Sequence, residues 1–305
     1  MSTSRFQDLT AVIPTLNEAE AIGKVLDEVI SVGVPKEKIL VVDGGSTDGT
    51  IEIARSKGVK VIIQEGKGKA DAIKTASKYI KTPYTLFMDG DYTYSAQHIP
   101  ELYEKIKQGF SLVIGRRQFN PRSQPWIYSI GNKLLTLFFN LLFGTKLHDV
   151  LSGMYVIKTE ILRELMFETQ GFGIESEITA HVASTTGDMT EVPIEYRQRL
   201  GKKKLGIKHG FQIFREMIRL AWRYNPTFFI FTLGALLLIP GLVLGAYVAY
   251  HYFFTGIKYY VKGLIAIILT LTGFQSLLLA ILSLYLKRME YRLQRQLRRT
   301  ISKVH

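Results

Sequence analysis

The sequence of 305 residues contains no cysteine. Disulfides, thiolate zinc sites and thiol nucleophiles are therefore excluded, and the composition is compatible with a reducing compartment. A G-x-x-x-x-G-K-[ST] string is also missing, so no P-loop cradles phosphate. Charge is missing in two long stretches: no Lys, Arg, Asp or Glu lies between Arg223 and Lys258, and none from Gly263 to Leu286. A helix of about 20 residues crosses a bilayer core, so both runs are long enough. "TFFIFTLGALLLIPGLVLGAYVAYHYFF" is apolar all round, whereas a soluble core helix of that length keeps a polar face. Pro240 within it predicts a kink of the kind membrane helices tolerate. Neither run is N-terminal, which argues against a cleaved signal peptide.

Negative charge is in short supply, and the net charge is +13. The excess clusters beside the apolar runs: "KRMEYRLQRQLRRTISKVH" holds seven Lys or Arg against one Glu, and "RLGKKKLGIKH" precedes the first run. Anionic lipid, rather than nucleic acid, is the partner this placement implies. Between the runs only Lys258 and Lys262 occur, so the positive-inside rule puts the N-terminal region and the tail in the cytoplasm. The chain then reads as an integral membrane protein of the cell membrane. It divides into residues 1–206, an amphipathic surface helix over 207–224, a two-helix anchor over 225–287 and a basic tail over 288–305. The spans also offer surfaces through which copies of the chain could form a homo-oligomer.

The first 115 residues or so alternate strand and helix signals. "LTAVIPT", "KILVVDG", "VKVIIQ", "YTLFMD" and "SLVIGR" read as short buried strands, separated by helical stretches over 18–31, 48–57, 69–81 and 97–108. This βαβα order predicts an α/β fold with a mostly parallel sheet flanked by helices, which binds ligands outside the carboxyl ends of its strands. Further on, "GMYVIK" and "MTEVPIEY" read as strands and "GFGIESEITAHVAS" as a helix. Residues 124–143 form an apolar, aromatic-rich segment read either as a helix on the membrane surface or as an ordinary core helix. Trp126 and Trp222 fit interfacial anchors, and His148 and His181 read as surface or packing residues.

The chemically suggestive residues gather at the predicted strand ends. Pro14, Asn17 and Glu18 follow the first strand, Asp43 the second, "EGKGKAD" with Lys69 the third, Asp89 and Asp91 the fourth, and Arg116 with Arg117 the fifth. "GKGKAD" fails as a dinucleotide fingerprint because Asp71 stands where the third glycine belongs. In "DGGSTDGT", Ser46 or Asp48 is expected to cap the next helix, while Asp43 can accept hydrogen bonds from a base or ribose. Two carboxylates at i and i+2, joined by Gly90, can lean toward one hard cation. Magnesium in particular is held by one or two carboxylates with phosphate oxygens and water.

"VIPTLNEAEAIGKVLDEV", "VVDGGSTDGT", "GKGKADAI" and "FMDGDYTY", in this order, resemble the inverting glycosyltransferases of family 2 with the GT-A fold. "DVLSGMYVIKTEIL", "GFGIESEI" and "YRQRLGKKKLG" are similar to the branch that makes polyprenyl-phosphate sugars, such as dolichyl-phosphate mannose and dolichyl-phosphate glucose synthases. The resemblance covers about residues 8 to 210 and implies a site for a nucleotide sugar, with Pro14, Asn17, Glu18, Asp43, Lys69, Asp89, Gly90, Asp91 and Glu175 around it. It also implies Mg2+ or Mn2+ on Asp89 and Asp91, and an acceptor phosphate held by Arg117, Ser129, Arg199 and Lys203, with Lys204 in support. Asp91, Arg117 and Arg199 are the residues it implies for catalysis. Mannose synthases of this branch carry a glutamine where this chain has Thr93, which tilts the expected donor from GDP-mannose toward UDP-glucose or another UDP-hexose.

The chemistry suits a lipid phosphate acceptor. A phosphate monoester is already largely dianionic at neutral pH and needs no general base, unlike a sugar hydroxyl. Glu175 is expected to contact sugar hydroxyls or orient Arg199, with exposure on the helix surface as the alternative for Glu175 and Glu177. Two competitors remain at this point. A processive polysaccharide synthase would carry Q-x-x-R-W, and the nearest string, "QIFRE", lacks the tryptophan. A non-catalytic lipid-binding or flippase-associated protein is disfavoured by intact Asp43, Asp89 and Asp91.

Overall fold

The computed structural model describes residues 5–118, 126–165, 167, 173–201 and 207–301. Lys203 and Lys204 lie outside them. The chain forms two compact units, one ending at Leu220 and the other beginning at Ala221.

In the first unit the apolar runs become seven strands: β1 (Leu9–Thr15), β2 (Ile39–Asp43), β3 (Lys60–Ile63), β4 (Tyr84–Phe87), β5 (Leu112–Arg117), β6 (Tyr155–Lys158) and β7 (Met189–Ile194). Between them run α1 (Ala19–Ser31), α2 (Thr50–Ser56), α3 (Gly68–Ser77), α4 (Ile99–Lys107), α5 (Trp126–Phe143), α6 (Thr159–Glu164) and α7 (Ile174–Thr185). They form one sheet in the order β3-β2-β1-β4-β6-β5-β7. Neighbours pair in parallel except at β6, which lies antiparallel to both β4 and β5. Val41, Leu86, Val113 and Val156 are fully buried among side chains of the flanking helices, including Val25, Leu26, Leu102 and Ile106. Continuous apolar strands of this kind are what a sheet covered on both faces requires.

β6 determines what reaches the rim. Because it runs against its neighbours, its amino-terminal approach, Asp149 to Met154, arrives where β4 and β5 present their carboxyl ends. The excursion from β5 to β6 includes α5, pinned to the loop behind it by Asn140. The Asn140 side chain donates to the Leu147 carbonyl at 2.8 Å and accepts from Leu147 N at 3.0 Å. One face of α5 buries Thr136, Phe139 and Leu142, while Trp126, Leu134, Leu137 and Leu141 are at least 61% exposed. Phe138 stacks on Phe214 of α8 (Ile207–Tyr224), with centroids 4.5 Å apart.

The second unit holds α9 (Pro226–Tyr250), extended through Thr255 by a π-helical turn, and α10 (Tyr260–Ile301). Two stretches, Pro226–Thr255 and Tyr260–Leu286, are long and apolar enough to cross a membrane, and little of either is buried. The helices close on each other through glycine. A Cβ at Gly241 would stand 2.7 Å from Thr270 N, and one at Gly273 would stand 2.5 Å from Leu238 N. These small residues let the two backbones approach closely within the hairpin.

Candidate active site

At the rim, the loops are held by nearby polar side chains. Asp43 is fully buried and its carboxylate accepts from Thr15 Oγ1 (2.7 Å), Gly45 N (2.9 Å), Ser46 N (2.7 Å) and Ser46 Oγ (2.7 Å). Two bonds on each oxygen use its accepting capacity. The Asp43 carboxylate thus organises the turn at the end of β2, the position expected for a base or ribose contact. Asn17 acts on the same loop: in a left-handed conformation (φ 50°), it accepts from Thr47 N and donates its own N–H to Ser46 Oγ. Asp48, rather than Ser46, takes the helix-start role, accepting from Thr50 N and from Ala19 N at the start of α1. Pro14 lies in β1, opposite Val42.

The 65–69 loop follows β3, with Gly66 and Gly68 both at positive φ. Asp71, the residue that spoils the dinucleotide pattern, accepts from Lys67 N at 2.8 Å and caps the turn. Lys69, in the first turn of α3, is thereby directed to the acidic rim. Its Nζ is 2.5 Å from Asp89 Oδ1 and 2.5 Å from Glu175 Oε1. Burial opposes the charge on Lys69, but the carboxylates of Asp89 and Glu175 outweigh it and hold the ammonium well above the usual lysine value. Glu175 is itself 6% exposed, and burial, only partly offset by Lys69, raises its carboxyl above the usual range. Glu175 and Glu177 are both buried, so the surface-helix alternative is excluded, and Glu175 orients Lys69 rather than Arg199.

Gly90 and Gly153 make the acidic corner possible. A Cβ on Gly90 would sit 2.8 Å from Thr15 Cγ2, and one on Gly153 would sit 2.1 Å from Asp89 Oδ2. Asp91 is 8% exposed and its Oδ1 accepts from Thr93 N (3.1 Å) and Thr93 Oγ1 (2.5 Å). Its Oδ2 accepts from Arg199 Nη1 at 2.6 Å, and Arg199 Nη2 reaches Glu18. Burial and the neighbouring Asp89 charge push the Asp91 carboxyl up, against the pull of Arg199 and Thr93. Two adjacent carboxylates that repel each other in this way favour a cation between them.

Arg199 arrives because the segment after β7 runs back along the segment after β4. Tyr196 bridges Tyr94, Arg197 N donates to Thr93 O (2.8 Å) and Leu200 N donates to Asp91 O (3.2 Å). The Tyr94 hydroxyl in turn accepts from Gly153 N at 2.7 Å. Arg117, at the end of β5, lies with its guanidinium carbon 5.3 Å from the Tyr196 ring centroid. It is clasped by Asp149: Nε to Oδ2 at 2.7 Å, Nη2 to Oδ1 at 2.7 Å, and the backbone N–H to Oδ2 at 3.0 Å. Asn132 of α5 joins the clasp, accepting from Arg117 Nη2 and donating to Asp149. Burial raises and the guanidinium lowers the Asp149 carboxyl, with a net depression below the usual aspartate range. Ser129 is half-buried one turn before Asn132. Asp149, Asn132 and Tyr196 went unmarked in the sequence. Only the position of Asp149 in "DVLSG", close before a strand, hinted at a rim location.

The rim thus brings Asp89, Asp91, Lys69, Glu175, Arg199 and Glu18 together, with Arg117 across the Tyr196 ring. Comparison with known proteins agrees with this architecture. Residues 10–166 match the profile described as glycosyl transferase family 2. Glycosyltransferase AglJ of Haloferax volcanii is 33% identical over 276 residues, spanning 88% of this chain and 90% of that protein. A dolichyl-phosphate hexose transferase of the same organism is 32% identical, over 67% of this chain and 90% of its own length. Polyprenol monophosphomannose synthase of Mycolicibacterium smegmatis is 26% identical, over 70% and 86%. Among solved structures, glucosyl-3-phosphoglycerate synthase from Mycobacterium tuberculosis, in complex with Mn2+, UDP-glucose and phosphoglyceric acid, matches with a TM-score of 0.60. That likeness of fold comes at 22% identity and covers 70% of this chain and 79% of that one. The chain is a glycosyltransferase and belongs to glycosyl transferase family 2.

Proposed function

We propose that this enzyme transfers a hexose, from UDP-glucose or another UDP-hexose, to a polyprenyl (dolichyl) phosphate at the cytoplasmic face of the membrane, inverting the anomeric configuration. The observation that carries this reading is the acidic pair Asp89 and Asp91, each matched by a cation from another element, Lys69 and Arg199, in a chain with two apolar helices long enough to span a bilayer. The activities for which the dolichyl-phosphate hexose transferase and the polyprenol monophosphomannose synthase are named support the acceptor class.

Asp89 and Asp91 would hold a divalent ion, Mg2+ or Mn2+; no third His, Cys, Asp or Glu groups with them among the described residues. Diphosphate oxygens and water would complete its shell. When bound, the ion neutralises charge on the leaving diphosphate. Lys69 adds a second positive charge beside it, held ready by Glu175. Arg117 and Arg199, with Ser129 and Lys203, orient the acceptor phosphate. One phosphate oxygen attacks the anomeric carbon, the bond from that carbon to the diphosphate oxygen breaks, and nucleoside diphosphate leaves. The acceptor is already dianionic, so alignment and electrostatics supply most of the catalysis.

The exposed apolar row on α5 and Phe211 on α8, 74% exposed, would rest at the lipid surface, where a polyprenyl phosphate presents its headgroup. Excess Lys and Arg flanking the spans orient the catalytic unit and the tail to the cytoplasm. The test is release of nucleoside diphosphate by the detergent-purified chain with Mg2+ or Mn2+, across UDP-glucose, UDP-N-acetylglucosamine, UDP-galactose and GDP-mannose. Release with a UDP-hexose that depends on added polyprenyl phosphate is expected. Lipid-dependent release with GDP-mannose alone would overturn the donor, and release indifferent to lipid would overturn the acceptor.

A further inference from the structure

The Asp149 clasp has its own support, and that support comes from β7, the edge strand that pairs with β5. Glu191, in β7, turns its carboxylate onto the turn that carries Asp149. Its Oε1 accepts from His148 N (2.8 Å) and Asp149 N (2.9 Å), and its Oε2 lies 3.0 Å from His148 N and 2.7 Å from His148 Nδ1. Glu191 has 11% side-chain exposure, and among the described residues no Lys or Arg pairs with it. Its charge is balanced by N–H groups of the turn it grips. In the ladder Glu191 stands opposite Ile114 of β5, the strand that delivers Arg117 three residues later. Two hydrogen-bonded strands therefore hold the two ends of one chain of contacts: Glu191 to the 148–149 backbone, the Asp149 carboxylate to Arg117. Three of the five guanidinium N–H groups are taken by Asp149 and Asn132. The two on Nη1 lie outside the clasp, and their direction is fixed by it.

We infer that Glu191 is a positioning residue for the acceptor: by fixing the 148–149 turn it sets the angle at which Arg117 meets the phosphate monoester. This rests on the reading of Arg117 as an acceptor-phosphate contact. Glu191 touches neither substrate. Its removal would loosen Asp149, let the guanidinium swing, and weaken the acceptor phosphate's alignment without touching the donor side, where Lys69, Asp89 and Asp91 belong to other elements.

The experiment is steady-state kinetics on the full chain in detergent, varying polyprenyl phosphate and nucleotide sugar separately. The variants are Glu191→Ala, Glu191→Gln, Arg117→Ala and the double variant Arg117→Ala with Glu191→Ala. Glu191→Ala is expected to raise the KM for lipid phosphate about 10-fold, the scale of a small misalignment, while the donor KM stays within about twofold. Glu191→Gln, which keeps one accepting oxygen, should fall between and serves where the alanine variant does not fold. In the Arg117→Ala background, Glu191→Ala should add nothing to the lipid KM, because the two act as one unit. An equal rise with or without Arg117 would overturn the inference, as would an unchanged lipid KM in Glu191→Ala when Arg117→Ala raises it. If Arg117→Ala itself leaves the lipid KM unchanged, the reading of Arg117 falls first and the inference with it.

Discussion

Replacing Asp91 by asparagine separates chemistry from folding. The substitution keeps the shape of the side chain, and its oxygen still accepts from Thr93 N and Thr93 Oγ1. The new amide nitrogen, however, faces the Arg199 Nη1 donor that stands 2.6 Å from the native oxygen, so that contact is lost while Arg199 keeps Glu18. A hydrogen bond to a charged group contributes about 1.5–3 kcal/mol. Against this loss stands a gain: burial and the Asp89 charge disfavour the Asp91 carboxylate in the fold, and neutralising it relieves both. The two effects have opposite signs, so the net change is smaller than the loss of that hydrogen bond alone. For a unit of this size each 1 kcal/mol of net change shifts Tm by about 2–4 °C. Catalysis has no such compensation, because a preorganised charge at the leaving diphosphate contributes about 100- to 1,000-fold. A 100-fold loss corresponds to about 2.7 kcal/mol of transition-state stabilisation. Nucleoside diphosphate release and thermal unfolding, measured on the same detergent-purified preparation, read the two quantities. Turnover within about threefold of wild type, at unchanged Tm, would refute the assignment of Asp91 to the diphosphate and metal.

Lys69→Met strips the counter-charge from buried Glu175, and breaking such a pair costs about 3–5 kcal/mol. Adding Glu175→Gln should restore much of the lost Tm, and a double variant as unstable as the single would contradict this pairing. Asp149 titrates below the usual aspartate range in the folded chain, so its contribution to stability is present above the unfolded value of about 3.9 and is lost as pH falls through the depressed folded value. Asp149→Asn should therefore show a shallower fall of Tm on acidification below about pH 4 than wild type; parallel curves would count against the depressed value. Gly153→Ala places a methyl group 2.1 Å from the native position of Asp89 Oδ2. The Asp89 side chain, 29% exposed, can give way to the methyl group only by shifting its carboxylate against Lys69, so turnover should fall at least about 10-fold with little change in Tm.

The strands and most helices were legible because each buried strand is a short apolar run between turn residues, and α1 and α4 carry apolar residues at helical spacing. The rim location of Asp89, Asp91 and Lys69 was legible for the same reason: in a parallel sheet, chemistry lies after strands. The reversal of β6 was not, since a four-residue strand of mostly apolar residues carries no signal of direction. Neither were the partnerships. Lys69 meets Glu175 and Arg117 meets Asp149 from positions far apart in the chain, and one sequence gives no pairwise signal for contacts that only the folded sheet creates. The surroundings of Asp43 were equally illegible: the N–H and hydroxyl donors of its own loop and of Thr15 come together around its carboxylate only in the fold.

The reversed strand also has a consequence for how such an enzyme diversifies. The chain leaves the sheet after Arg117 and re-enters it through Gly153 on the same side, so everything between, α5 included, is a detour that begins and ends at the rim. Its two anchor points, the Arg117–Asp149 clasp and the Gly153–Tyr94 contact, lie next to each other. The detour is in effect a cassette. A change in its length or surface would leave the ladder of the sheet as it is, provided the clasp at its root is kept.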